Sequence, residues 1–263
     1  MINIEIISKL PPAKRKILIE QCLVDAPSSI DEDLKESYAY SRVINTFIEE
    51  YIKRQVIKDQ ALEKRSVLTK ENLTKKVKVE IEEFIPLAIS ALKNSIPSID
   101  ELKLQAKNLF EISGVRRLAF GNKATRTLST TMGSLWERLA NISPYAVITE
   151  QEFGIKLKGI DLILLNCSTD IIEYAQLKTK QDTLTGSQKS RSVKELSIHD
   201  NPIFCACFET KAGWTFNDSK VSRYAGEEVW NRIGMDYSII LESVVEMIKV
   251  LEGEYVDLLN TIK

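Results

Sequence analysis

Two short apolar segments separated by a polar turn constrain the fold of this chain more than any other feature. Residues 159–166 and 171–180 are both rich in isoleucine and leucine. Such runs are typical of strands that are buried on both faces of a sheet. The polar residues 166–170 between them favour a turn, so the two segments are predicted to form a β-hairpin.

The predicted hairpin places three polar side chains on one face. A turn centred on Ser168 and Thr169 sets Asp161 directly opposite Gln176. Lys178 lies two residues further along the strand and therefore on the same face. Burying a carboxylate without a partner is costly. A divalent metal ion bound by the carboxylate, with the lysine beside it, would satisfy this arrangement.

Charge and composition exclude several classes of function. The chain has 36 basic and 37 acidic residues, so any surface that binds nucleic acid must be local. His199 is the only histidine, which disfavours histidine-based metal sites and Ser-His-Asp triads. The sequence has neither a glycine-rich phosphate-binding loop nor a GxGxxG motif, so no nucleotide cofactor is expected.

The cysteines and the apolar runs indicate a cytoplasmic protein. Cys22, Cys167, Cys205 and Cys207 lack the spacing of a zinc site or a disulfide framework, and we expect them to be reduced. The first residues lack the charged start and apolar core of a signal peptide. No apolar run is long enough to span a bilayer, so no membrane partner is expected.

The chain is predicted to contain a mainly helical subdomain, residues 1–112, followed by an α/β region, residues 113–263. Helical spacing of apolar residues occurs at 11–24, 38–52 and 69–94. This subdomain is interpreted either as a scaffold or as a part that mediates dimerisation or clamps DNA. In the second region, segments 146–153, 203–208 and 214–216 are predicted strands, and segments 128–139 and 236–262 are predicted helices.

Two basic segments are candidates for contacting DNA. The first, residues 114–136, contains Arg116, Arg117, Lys123 and Arg126. We expect these cations to contact phosphates. The second contains Lys180, Gln188, Lys189, Arg191 and Lys194, with a helix from about residue 187. We expect the part from 188 to 194 to approach the bases. Solvated surface segments would explain the same compositions.

The sequence Asp161 followed by Gln176-Leu-Lys178 resembles the signature of the PD-(D/E)XK nuclease superfamily, an acid on one strand and acid-x-Lys on the next. The resemblance implies a mixed central sheet flanked by helices, Mg²⁺ as cofactor, and catalytic roles for all three residues. Gln176 departs from the signature. Its carbonyl oxygen can still bind Mg²⁺, but one negative charge is lost. Glu173 is the nearby acid that could replace it, although its parity places it on the opposite face.

Two further segments extend the resemblance. Glu137, on the helix before the hairpin, matches a glutamate that this superfamily often carries near the metal site. Residues 223–230 are similar to a segment of type II restriction endonucleases that cut interrupted GC-rich palindromes. The resemblance implies a homodimer that cleaves double-stranded DNA at a short palindromic site. The alternatives are a repair or junction-resolving nuclease of the same superfamily, and a non-catalytic DNA-binding or helical interaction protein.

Overall fold

The computed structural model of this chain describes residues 2–95, 112, 115–184 and 186–261. The chain divides into two compact units, Met1–Lys76 with Trp136–Tyr237 and Val77–Leu135 with Ser238–Lys263. These units are distributed along the chain differently from the predicted division at residue 112. Within the described part of the chain, every helix is too short or too polar to cross a membrane. All four cysteines are free thiols.

The first unit contains a five-stranded mixed sheet whose strands lie in chain order. Its strands are β1 (Ala146–Val147), β2 (Leu162–Leu165), β3 (Ile172–Lys178), β4 (Pro202–Ala206) and β5 (Ser222–Ala225). The pairs β1–β2 and β2–β3 are antiparallel, whereas the pairs β3–β4 and β4–β5 are parallel. The fold is therefore mixed α/β, as predicted.

Helices flank this sheet and form most of the second unit. Those in the described part of the chain are α1 (Ile4–Ile7), α2 (Pro12–Glu20), α3 (Lys35–Asn45), α4 (Ile48–Gln60), α5 (Lys70–Ser95), α6 (Arg116–Ala140), α7 (Thr149–Phe153), α8 (Gly186–Ser197), α9 (Glu227–Arg232) and α10 (Tyr237–Thr261). Short 3-10 helices cover Glu32–Leu34 and Glu63–Arg65.

The β2–β3 hairpin has the register that the sequence predicts. Leu162 lies opposite Ala175 and Leu165 lies opposite Ile172. The pairing continues to Asp161, whose backbone N–H donates to the carbonyl of Ala175 at 2.9 Å. All four residues of β2 are buried, as expected for a strand that is covered on both faces.

Asn166 organises the turn of this hairpin. Its side-chain oxygen accepts a hydrogen bond from the N–H of Ser168 at 3.0 Å. Its carbonyl accepts from the N–H of Asp170 at 2.8 Å. Asp170 has φ of 55°, in the left-handed region that aspartate tolerates better than most residues. Local turn chemistry therefore supports the register that the apolar pattern predicts.

Three predicted elements differ in the structure. Segment 146–153 forms only the short strand β1 and then helix α7, because Thr149 and Phe153, four residues apart, are both buried and Gly154 ends the helix at φ 67°. The predicted helix 38–52 is interrupted at Phe47, whose ring is buried in the core. Segment 214–216 is not a strand, and Phe216 instead stacks on the Phe204 ring at 4.3 Å.

Both faces of the sheet are covered by helices. On one face, Ile163, Tyr174 and Phe204 belong to a core that also includes Ile44 and Ile52 of helices α3 and α4. On the other face, small gaps remain between strand side chains and residues of α6 and α9; their lining includes Leu162, Leu164, Ala140 and Trp230. The N-terminal helices thus share one hydrophobic core with the strands.

A partly buried ion pair connects α2 and α4 to α7. The guanidinium of Arg15 contacts the carboxylate of Glu152 and donates to its backbone carbonyl at 3.0 Å. The hydroxyl of Tyr51 donates to the same carboxylate. Arg15 also donates to the carbonyl of Ile7 at 2.9 Å, so a single cation joins three helices.

We expect Arg15→Met to lower the free energy of unfolding by about 2–3 kcal/mol, because Glu152 would remain partly buried without its cation. Urea denaturation measures this loss. Lys53→Met is the matched control, because it breaks the exposed pair between Lys53 and Glu49 and should leave the free energy of unfolding nearly unchanged. Equal losses in the two variants would contradict a structural role for the Arg15 pair.

Candidate active site

Asp161 is held at the open end of the hairpin. It immediately precedes β2, and its carboxylate accepts a hydrogen bond from the backbone N–H of Leu177 at 2.6 Å. Burial raises the pKa of this carboxyl, while the Leu177 N–H and the charge of Lys178 act in the opposite direction. The carboxylate is therefore fixed in position by the neighbouring strand and has a cation nearby.

Gln176 lies opposite Asp161 and carries an unsatisfied oxygen. The residue is 6% exposed. Its Oε1 is buried and has no hydrogen-bond partner in the described part of the chain. Leaving a buried acceptor unpaired costs about 1–3 kcal/mol, so such an atom calls for an explanation. A donor or a cation at this position would satisfy it.

Glu137 and Lys178 lie near Asp161. Burial and the negative charge of Asp161 raise the pKa of Glu137 to about 7. The positive charge of Lys178 lowers the pKa values of both Glu137 and Asp161. The two acids and the lysine, which lie on α6, before β2 and at the end of β3, are thus close enough to interact. The register places Gln176 beside them.

A small polar pocket joins two of these residues. It has a volume of about 70 Å³ and is lined by Glu137, Ile148, Thr149, Glu150, Lys156, Leu157, Ile160 and Asp161. Glu150 and Lys156 form an ion pair at 3.7 Å. The sequence indicates neither residue. Glu150 lies in segment 146–153, which the sequence predicts as a strand but which contains helix α7, and Lys156 follows that helix.

The oxygen atoms of this site suit a hard cation. Mg²⁺ is usually bound by one or two carboxylates and completes its octahedron with water and substrate phosphates. Asp161, Glu137 and Oε1 of Gln176 are donors of this kind. Among the described residues, no group of three or more His, Cys, Asp or Glu side chains is arranged to hold a metal. A cation held by these donors would therefore need further ligands from water or a substrate.

Glu173 is engaged elsewhere. Its carboxylate forms an ion pair with Arg232 at 3.2 Å and accepts a hydrogen bond from Asn166 at 3.4 Å. The Arg232 guanidinium also lies 3.3 Å from the centre of the Tyr224 ring. Glu173 and Gln176 are three residues apart on β3, and side chains an odd number of residues apart lie on opposite faces of a strand. Glu173 therefore lies on the face that contacts Arg232, and Gln176 is the residue that faces Asp161.

Most cations of the second basic segment are paired with acids of this chain. The pairs are Lys180 with Asp182 at 3.0 Å, Arg191 with Glu195 at 2.7 Å, and Lys194 with Asp31 at 3.0 Å. Gln188 is exposed and Lys189 is half-buried on α8. Contact between residues 188–194 and DNA bases remains a prediction. It would require Arg191 and Lys194 to exchange these partners.

The first basic segment is helical and belongs to the second unit. Arg117 and Arg126 are exposed on α6 and Lys123 is half-buried, whereas the side chain of Arg116 lies outside the described part. Thr125 and Thr130 donate to carbonyls of their own helix at 2.9 and 3.0 Å. Their hydroxyl protons are thus used within the helix, and contact between the cations of this segment and phosphates remains a prediction.

Glu195 is an acid near the site that the sequence did not indicate. It is 6% exposed on α8, and its negative charge contributes to raising the pKa of Asp161. In the sequence it appears only as an acid four residues after Arg191, a spacing typical of a helical surface pair. Its burial depends on how α8 packs against the sheet.

No protein-family model, curated protein or solved structure matches this chain.

Glu137→Gln tests how much the buried carboxylate of Glu137, beside that of Asp161, lowers the free energy of unfolding. An unfolded glutamate ionises near 4.5, whereas the folded pKa is about 7. The folded state therefore binds the proton more tightly, and Glu137 lowers stability progressively as the pH rises from 4.5 to 7. We expect similar stabilities of variant and wild type near pH 4. At pH 8, after allowance for partial exposure, the variant should be more stable by about 1 kcal/mol, or about 2–4 °C in Tm.

Thermal unfolding at the two pH values, without divalent cations, measures this difference. Glu150→Gln is the control, because this carboxylate lines the same pocket but is largely exposed. A Glu137→Gln variant that is less stable than wild type at pH 8 would show that the ionised carboxylate stabilises the fold.

Proposed function

We propose that this chain is a Mg²⁺-dependent type II restriction endonuclease that hydrolyses phosphodiester bonds of double-stranded DNA at a short palindromic site. One observation carries the proposal. Asp161 lies opposite Gln176, with Lys178 next on that face and Glu137 in the same pocket as Asp161. This arrangement resembles that of the PD-(D/E)XK nucleases.

The size of the pocket favours an ion and a phosphate over a small organic substrate. Sites for drug-sized ligands and cofactors usually enclose about 300–1,000 Å³ and are mostly apolar. The pocket at Asp161 has about 70 Å³ and contains three acids and a lysine. A divalent cation together with one phosphate group of an extended polymer suits this space better than a nucleotide or metabolite.

Asp161, Oε1 of Gln176 and Glu137 would hold the cation. Bound Mg²⁺ would polarise the scissile phosphate and lower the pKa of a coordinated water molecule. Lys178 forms no ion pair within the described residues, so its ammonium group is available to stabilise negative charge that develops on the phosphate. While no cation is bound, burial and the charge of Asp161 raise the pKa of Glu137 to about 7, so binding of a cation near neutral pH would displace a proton from it.

The proposed enzyme acts as a homodimer, because a two-fold arrangement of two sites cuts both strands of a palindrome. An apolar stripe on α10 supports self-association. Leu241, Val245 and Ile248 follow one another at helical spacing and are all exposed. Exposed apolar surface of this kind commonly marks a protein interface.

One observation favours a second function. Gln176 stands where an active nuclease of this superfamily carries an acid, and this favours a protein that binds DNA without cutting it. Incubating the purified chain with unmodified phage DNA and Mg²⁺ distinguishes the candidates. Discrete fragments with a common end sequence support a restriction enzyme. Structure-dependent cutting of branched DNA supports a repair or junction-resolving nuclease, and intact DNA supports a binding protein.

Lys178→Ala should reduce the cleavage rate by about 10²–10³-fold and leave DNA affinity nearly unchanged, because the lysine acts on charge in the transition state. Single-turnover cleavage gives the rate, and binding in Ca²⁺ gives the affinity. Lys220→Ala removes an exposed cation from a loop outside the pocket and should cleave at the wild-type rate. Full activity of Lys178→Ala would exclude the hairpin as the active site.

Arg126→Ala and Arg191→Ala should weaken DNA binding in different ways. Loss of a phosphate contact at Arg126 should weaken binding to specific and scrambled duplexes alike and reduce the salt slope by about 0.9. Loss of a base contact at Arg191 should cost about 1–3 kcal/mol on the preferred duplex alone. Affinities across a salt series in Ca²⁺ measure both. Equal weakening by Arg191→Ala would assign this residue to phosphate, and no weakening would assign it to the helix surface.

A further inference from the structure

Glu195 is a buried carboxylate whose cation lies at the surface. Its Oε1 accepts a hydrogen bond from Nε of Arg191 at 2.7 Å. The Arg191 side chain is 72% exposed, whereas the Glu195 side chain is 8% exposed. Burying a carboxylate is expensive even when it is paired. A glutamate that is exposed on the helix surface would pair with Arg191 equally well. The ion pair with Arg191 therefore does not explain why the Glu195 side chain is buried.

The acid lies directly against the loop that precedes Asp161. A Cβ atom on Gly159 would be 2.4 Å from Cβ of Glu195 and 2.8 Å from its Oε2. Gly159 also has φ of 75°, which a residue with a side chain rarely adopts. Glycine therefore allows the Glu195 side chain to lie over the chain two residues before Asp161.

Glu195 and Gln176 lie on the same side of the sheet. Helix α8 packs on β3 and β4, and its Leu196 belongs to the core that includes Tyr174 and Phe204. Tyr174 and Gln176 are two residues apart on β3, so their side chains share a face. The buried Oε1 of Gln176, which has no hydrogen-bond partner among the described residues, is therefore on the face that α8 covers and points independently to a ligand-binding role for this side.

We propose that Glu195 is a metal-binding carboxylate of this site, presented from α8 in place of the acid that β3 lacks at position 176. The inference rests on the proposed function. With Asp161 it supplies two negative charges, and Gln176 adds a neutral oxygen. A divalent cation would relieve the repulsion between the two carboxylates and satisfy the buried amide oxygen. Arg191 neutralises Glu195 while no cation is bound.

Mn²⁺ binding to the full-length chain tests this proposal without requiring cleavage. Electron paramagnetic resonance measures free Mn²⁺ during a titration in the absence of DNA. We expect Glu195→Gln to weaken binding about tenfold or more, a change of about 1.4 kcal/mol. Arg191→Ala removes the competing cation but keeps the carboxylate, so this variant should bind Mn²⁺ at least as tightly as the wild type. The double variant Gln176→Glu with Glu195→Gln returns an acid to β3 and should recover binding.

The outcomes separate this inference from the proposed function. Wild-type Mn²⁺ affinity in Glu195→Gln, together with lost binding in Asp161→Asn, would overturn the role of Glu195 and leave the hairpin site in place. Unchanged affinity in both variants, or no binding by wild type at millimolar Mn²⁺, would overturn both. If Glu195→Gln does not fold, as judged by circular dichroism, Glu195→Asp keeps the charge on a shorter side chain. Weakened binding by that variant supports the proposal, and wild-type affinity contradicts it.

Discussion

The register of the β2–β3 hairpin is the constraint on which the candidate site depends. A shift by one residue would move every side chain of a strand to the opposite face. Ile163 and Leu165 face the N-terminal helices, while Leu162 and Leu164 face α6 and α9. A one-residue shift in either direction would exchange these two pairs of side chains between the faces of the sheet. It would also remove Asp161 from its position opposite Gln176. Packing on both faces thus fixes the polar end of the hairpin.

The N-terminal helices contribute directly to this constraint. Helices α3 and α4 bury Ile44 and Ile52 in the core that contains Tyr174 of β3, and the Tyr174 hydroxyl donates to Asn45. They therefore cover the face that ends in Gln176 and Lys178. This is the physical reason why one compact unit joins residues 1–76 to the strands of the sheet.

The acids near this end of the sheet are costly to the folded protein. Burial and then the negative charge of Asp161 raise the pKa of Glu137, and burial and then the negative charge of Glu195 raise the pKa of Asp161. Lys178 and Lys156 offset part of this cost, because their charges lower the pKa values of Glu137 and Asp161. Groups of like charge that are held together without a structural benefit are common at functional sites. A divalent cation would remove much of the repulsion.

The sequence by itself determined the hairpin, its register and the shared face of Asp161, Gln176 and Lys178, because strand periodicity and turn chemistry are local. It also predicted a mixed α/β fold. Tertiary structure alone decided that 149–153 is a helix, that Lys194 pairs with Asp31, and that Glu195 lies against Gly159. These contacts join residues far apart in the chain. They depend on how helices pack against the sheet, and a local pattern of apolar and charged residues does not encode that packing.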